Sequence, residues 1–193
     1  MVRIISHWSF RGLEGTERPV PVYTNCDEVE LILNGRSLGR RSVEKYGYPT
    51  WTVPYEPGTL TAVGYRDGER VTEDERVSTG LPVSLELIRL DTAARANGRD
   101  IELFICRCLD SEGRVVPDAS PTVSFSVGAP AVIVGTGSDN CDHTSVALPV
   151  RKMYMGSVTV GVKPAKGQST LTLTATAENL GTGQITVALT EGD

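Results

Sequence analysis

The chain has 193 residues, 39% of them hydrophobic and 22% charged, with a net charge of −5 at pH 7. Those values belong to a folded chain with material for one large or two ordinary domains, and they exclude a disordered tail. The acidic balance argues against a nucleic-acid binder, and no apolar run reaches the roughly 18 residues of a membrane-spanning helix.

In chain order, the opening MVRIISHWSF has neither the sustained apolar core nor the small-residue cleavage site of a signal peptide. It is expected to start as a fragment of a longer protein would. Strands are then predicted over 20–23, 28–33, 37–43, 50–53, 60–65 and 70–78 from apolar alternation between Gly and Pro punctuation. Val29, Leu31 and Leu33 share one face, and Asn34-Gly35 supplies the positive φ angles of a tight hairpin. Asp67-Gly68 repeats that signal. At Thr79-Gly80-Leu81-Pro82 the pattern resets, which predicts domains of 1–80 and 81–193. The second half gives strands over 83–90, 101–110, 122–127, 131–134, 156–162, 169–177 and 184–189. Short strands at regular spacing are the pattern of an immunoglobulin-like sandwich. The expected fold class is all-β, with two tandem immunoglobulin-like β-sandwich domains.

Four cysteines, Cys26, Cys106, Cys108 and Cys141, do not read as a disulfide framework. Cys106 and Cys108 are two apart on a predicted strand, so their Cα atoms stand roughly 6.6 Å apart, at the far edge of disulfide geometry. With Phe104 they are expected as core positions carrying free thiols. No CxxC pair is present to support a structural zinc. The segment 135–143 gathers Asp139, Cys141, Asp142 and His143, but consecutive Cys-Asp-His side chains do not easily converge on one ion. It reads as a long polar loop at one end of the sandwich. Gly135-Thr136-Gly137 lacks both the lysine and the following helix of a phosphate-binding loop. Neither metal nor cofactor is expected.

Several runs carry a family resemblance: His7-Trp8, Val22-Tyr23-Thr24-Asn25-Cys26-Asp27-Glu28-Val29-Glu30-Leu31, Leu33-Asn34-Gly35-Arg36-Ser37-Leu38-Gly39, Val53-Pro54-Tyr55-Glu56-Pro57-Gly58-Thr59-Leu60 and Ala62-Val63-Gly64-Tyr65. Through them the first half resembles the domain of unknown function near the C-terminus of many family 2 glycoside hydrolases, the β-galactosidase group. The second half is similar to the C-terminal immunoglobulin-like domain of the same enzymes. That likeness rests on Asn97-Gly98-Arg99-Asp100, Asp110-Ser111-Glu112-Gly113, Val116-Pro117-Asp118-Ala119 and Val123-Ser124-Phe125-Ser126-Val127-Gly128. Where such relatives often carry His-Trp-Asn-Trp, this chain has His7-Trp8-Ser9-Phe10, so the second aromatic lacks an indole donor.

The resemblance implies a parent that hydrolyses O-glycosidic bonds of β-linked galactose or a similar glycoside with retention, using two glutamates on a (β/α)₈ barrel. Such a barrel needs roughly 250 residues of alternating strand and helix, and the sequence supplies none. No catalytic residue is therefore assigned here, and the expected role is noncatalytic support of the barrel. The catalytic barrel of the parent chain is the implied partner. Carbohydrate and a homodimer formed through the parent are compatible further partners, with no nucleic acid and no membrane. A periplasmic or secreted parent in a bacterium is compatible with the family. Alternatives are an independent carbohydrate-binding module and a cell-surface immunoglobulin-like spacer.

Two groups of residues invite a functional reading. Glu28 and Glu30 share a strand face, roughly 6.6 Å apart along what is expected to be a solvated edge. A retaining pair instead stands about 5–5.5 Å apart across a cleft, so these read as a solvent face. Among the aromatics, Trp51 alternates with Val53 and reads as core, whereas Tyr46 and Tyr48 flank Gly47 in a loop and read as exposed. Sugar C–H faces stack on exposed rings, so Trp8, Phe10, Tyr46 and Tyr48 are the candidates for a sugar or interdomain contact. Trp8, ahead of the first clear strand, is expected to pack against a preceding domain.

Overall fold

Alternate residues are buried along short strands in both halves of the chain, and all regular secondary structure among the described residues is strand. The structure is a computed structural model that describes residues 1–90, 95–139 and 142–191. It divides into two units, Met1–Ser78 and Thr79–Asp193.

The first unit contains β1 (Val2–Ile4), β2 (Glu17–Thr24), β3 (Glu28–Leu33), β4 (Arg36–Ser42), β5 (Thr50–Pro54), β6 (Thr59–Arg66) and β7 (Glu69–Val77). They form two antiparallel sheets, β1-β2-β5 and β4-β3-β6-β7. Val29, Leu31 and Leu33 enter one core with Val20, Val22, Trp51, Leu60 and Ala62. Each of the valine and leucine side chains removed from water contributes about 1.5–3 kcal/mol.

Both predicted hairpins form. Leu33 pairs with Arg36 across Asn34 and Gly35, at φ 50° and 79°, and Arg66 pairs with Glu69 across Asp67 and Gly68, at φ 51° and 81°. Asn34 does more than turn the chain. Its Oδ1 accepts from the Thr59 N–H at 2.9 Å and its Nδ2 donates to the Pro57 carbonyl at 3.2 Å. Gly58 must pass beside it: φ is 139°, and a Cβ there would fall 1.9 Å from Asn34 Oδ1.

Two local expectations change. β3 lies inside its sheet between β4 and β6, so Glu28 and Glu30 are not on an edge. The unpredicted β1 is three residues long, too short for alternation to register. It is tied down by Asp74 Oδ2, which accepts the Ile4 N–H at 2.8 Å, and by Arg76, which donates to the Ile4 carbonyl at 2.7 Å.

The second unit contains β8 (Ser84–Arg89), β9 (Arg95–Ala96), β10 (Glu102–Leu109), β11 (Thr122–Val127), β12 (Val132–Gly137), β13 (Val150–Lys152), β14 (Ser157–Lys163), β15 (Thr170–Ala177), β16 (Gly181–Ala188) and β17 (Thr190–Glu191). Its sheets are β12-β14-β10-β8 and β13-β11-β15-β16, with a parallel β17–β9 pair. Phe104, Val158, Val160 and Val162 from one sheet meet Val123, Phe125, Leu171 and Leu173 from the other. β16 comes close to β8 at Gly183, where a Cβ would lie 2.8 Å from the Leu85 carbonyl oxygen.

Cys106 and Cys108 are buried free thiols in this core, as is Cys26 in the first unit. Burial, reinforced by the neighbouring Cys108, pushes the Cys106 thiol up to about 12. Cys141 lies outside the described residues. Gly135-Thr136-Gly137 is the end of β12, not loop: Thr136 pairs with Val160 beyond an irregularity between Ile133 and Gly135. Two glycines with weak strand preference concealed it.

Candidate functional site

The paired glutamates of β3 are absorbed by local structure. Ser37 Oγ donates to Glu30 Oε1 at 2.6 Å and the Tyr65 hydroxyl donates to Glu30 Oε2 at 2.8 Å. Arg40 donates to Glu28 Oε2 at 3.3 Å, with its guanidinium carbon 3.5 Å from the Tyr65 ring centroid. Ser37 and then Tyr65 hold the Glu30 carboxyl below its ordinary value. A general acid in glycoside hydrolysis needs the opposite shift. These carboxylates knit β4 to β3 and β6.

The expectation of a sugar or preceding-domain contact fails at Trp8. Its side chain is 1% exposed, inside the core of its own unit. The indole Nε1–H donates to the Glu56 carbonyl at 3.0 Å, and Ser78 Oγ donates to the Trp8 carbonyl at 2.6 Å. Tyr55 packs edgewise on the indole at 5.3 Å between centroids. The partners that bury Trp8 come from 48 and 70 residues away in sequence, which local pattern does not show. Phe10 is half-buried against the same core. Its ring already meets His7 at 4.4 Å, Tyr55 at 5.4 Å and the Arg18 guanidinium at 4.7 Å.

Tyr46 and Tyr48 lie on an exposed loop, and the structure adds Tyr23, a residue the sequence did not single out. Val22 and Val20 of β2 face the core, so Tyr23 between them and solvent points outward. The Val22 N–H donates to the Pro49 carbonyl at 3.0 Å, which docks the 44–49 loop beside β2 and sets Tyr48 against Tyr23. The usable signal was an outward tyrosine at the end of a strand otherwise predicted correctly.

In the second unit, the polar loop after β12 is organised by a buried cation. Arg151 of β13 is 2% exposed, and its guanidinium donates to Asp142 Oδ2 (2.7 Å), Thr136 Oγ1 (3.2 Å) and the carbonyls of Thr136 (3.0 Å), Thr144 (3.1 Å) and Ser145 (2.9 Å). Thr144 and Arg151 hold the Asp142 carboxyl well below the usual carboxylate range. A cleft of about 350 Å³ beside it is lined by Ser138, Asp139, Asp142, Lys152 and Tyr154, among others. No group of three metal-ligating side chains occurs among the described residues. Across the unit, Asp110 plays a similar part. Burial alone would raise its pKa, but the N–H groups of Gly80, Arg114 and Glu112 and the Arg114 guanidinium outweigh that and hold it at about 2.

Fold and polar clusters together define a pair of tandem β-sandwich modules whose buried charges serve loops and strand pairing. Residues 15–72 match the family described as Domain of unknown function (DUF4982), and residues 85–186, more than half of the chain, match Glycoside hydrolase family 2 C-terminal domain 5. The chain belongs to glycoside hydrolase family 2, as its C-terminal domain 5 with the preceding module. It is 31% identical over 190 residues to a beta-galactosidase of Bacteroides ovatus, BoGH2A, which covers 93% of this chain and 21% of that protein. It is 30% identical over 135 residues to a beta-glucuronidase of Formosa agariphila, covering 68% of this chain and 14% of that protein. The crystal structure of a family 2 member from Bacteroides cellulosilyticus superposes with a TM-score of 0.89 at 34% identity, over 94% of this chain and 25% of that one. The chain thus spans about a fifth or less of the curated relatives named here.

Proposed function

We propose that this chain is a noncatalytic C-terminal portion of a family 2 glycoside hydrolase and that it supports the catalytic barrel of its parent. The observation that carries the reading is the tandem match of both units to modules of this family, at about a fifth of the length of BoGH2A. The relatives' names support a parent that cleaves β-galactosides or β-glucuronides, and retention of configuration and a place in carbohydrate metabolism, which the family resemblance implies, belong to the same proposal. A homodimer formed through the parent is part of the same proposal. The physical logic is that a sandwich is a rigid frame whose end loops can shape the rim of a neighbouring cleft.

The test is direct. Purified chain incubated with 4-nitrophenyl β-galactoside and 4-nitrophenyl β-glucuronide is expected to release no nitrophenol above buffer. Turnover that disappears on substitution of a residue of this chain, Glu30→Gln for instance, would place catalysis in these sandwiches and sink the reading.

A further inference from the structure

We propose that Tyr23 and Tyr48 form a carbohydrate-binding platform on the first unit, sized for one or two pyranose rings of a glycan, with Tyr46 presented by the same loop as Tyr48. Tyr23 and Tyr48 are 46% and 54% exposed, with ring centroids 4.8 Å apart and planes tilted by 59°. Together they line a shallow cleft of about 160 Å³. Tyr48 also lines a second cleft, of about 280 Å³, to which Arg41, Ser42 and Glu44 contribute.

Each cleft is smaller than the roughly 300–1,000 Å³ of a drug-sized pocket, so the ligand is small and stays partly in water. A pyranose ring has an apolar C–H face that lies on an aromatic ring, and hydroxyls that both donate and accept. Tyr48 is shared by the two clefts, with the Tyr23 ring in one and a guanidinium, a hydroxyl and a carboxylate in the other, so the pair of clefts supplies both halves of that recognition. Arg41 is fixed in position: it donates to the Thr50 carbonyl and its guanidinium carbon sits 4.9 Å from the Trp51 ring centroid.

Tyr46 provides an independent observation. The Gly47 N–H donates to the Glu44 carbonyl at 2.9 Å, closing a turn in which Tyr46 has φ 67°. A bulky side chain in the left-handed region is strained, and residues held this way concentrate at ligand clamps. Here the ring is 95% exposed, so no burial offsets the strain. A glycine or asparagine would make the same turn at lower cost and would present no ring.

The choice of sugars rests on the proposed function, and the experiment separates the two. The chain is titrated by calorimetry and saturation-transfer NMR with β-1,4-galactobiose, methyl β-glucuronide and maltotriose. Galactobiose or methyl β-glucuronide is expected to bind in the millimolar range, and Tyr48→Ala to weaken binding about tenfold, which corresponds to about 1.4 kcal/mol. Tyr23→Ala acts in the same direction. Tyr46→Gly weakens binding while leaving Tm equal or higher, which a purely structural role for Tyr46 would not give. Trp8→Phe in the core lowers Tm and leaves affinity unchanged. Absence of binding to all three sugars, or binding indifferent to both Tyr48→Ala and Tyr23→Ala, overturns the platform. Tyr48-dependent binding of maltotriose alone keeps the platform and overturns galactoside or glucuronide as its ligand, while the proposed function is decided separately by the turnover assay.

Discussion

Arg151 shows how a residue that looks misplaced in a sequence becomes legible in a structure. A guanidinium has five N–H donors in a fixed fork, and all five directions are used on one carboxylate, one hydroxyl and three carbonyls. Lysine offers a point charge with three donors and leaves buried carbonyls unpaired. Arg151→Lys is therefore expected to destabilise the second unit by about 3 kcal/mol, and Arg151→Met by as much or more, measured as a lower urea midpoint at unchanged slope. Asp110 makes a residue-scale prediction about pH. Its folded pKa of about 2 lies below the ordinary 3.8, so its ionised form favours the folded state. That contribution is complete above 3.8 and is lost as the pH falls from there to about 2. Asp110→Asn should lower stability at neutral pH and flatten the decline across that acid window. Parallel pH profiles for the two proteins would remove Asp110 as a cause.

At the scale of elements, the β3–β4 hairpin and the β5–β6 connection depend on one another through Asn34. Its backbone supplies the first positive φ of the turn, while its amide satisfies Thr59 and Pro57 at the start of β6. Asn34→Ala gives up both hydrogen bonds and retains the strained φ, for an expected loss of about 2 kcal/mol. Asn34→Gly keeps the φ and should lose only about 1 kcal/mol, so the difference between the two variants in thermal or urea unfolding isolates the backbone part. Most elements of this kind were readable in advance. Alternation marked β3, β6, β10, β11 and β15 because each has one face in a core and one in solvent. It missed β1 and β13, three residues each, and the two-residue β9 and β17, because a period of two needs more length to register. The end of β12 was hidden for a different reason, two glycines with no side chain to alternate.

At the scale of the whole molecule, the family resemblance carried what alternation could not, the position of the two units within a larger kind of enzyme. The candidate residues were only partly readable. Tyr46 and Tyr48 were expected in an exposed loop and lie in one, but Trp8 is sealed by partners far along the chain, and Tyr23 joins Tyr48 only because a loop folds back on β2. Burial of an aromatic depends on tertiary contacts, whereas exposure on a Gly-containing loop is close to a local property. Glu30, the residue of β3 that most resembles a catalytic carboxylate, is engaged in strand pairing, and Ser37 and Tyr65 hold its carboxyl below its ordinary value, the opposite of what a general acid needs. One further property follows from the order of the strands. The sheet β4-β3-β6-β7 ends on one side in Arg36, Arg40 and Arg41 and on the other in the exposed Glu69, Arg70, Glu73 and Glu75. β4 is also interrupted where its pairing with β3 shifts, near Gly39 at φ 97°. A neighbouring molecule offering a strand to either side would have to strip water from those charges and follow an irregular partner. Strand-by-strand growth into fibres through this sheet is thereby discouraged.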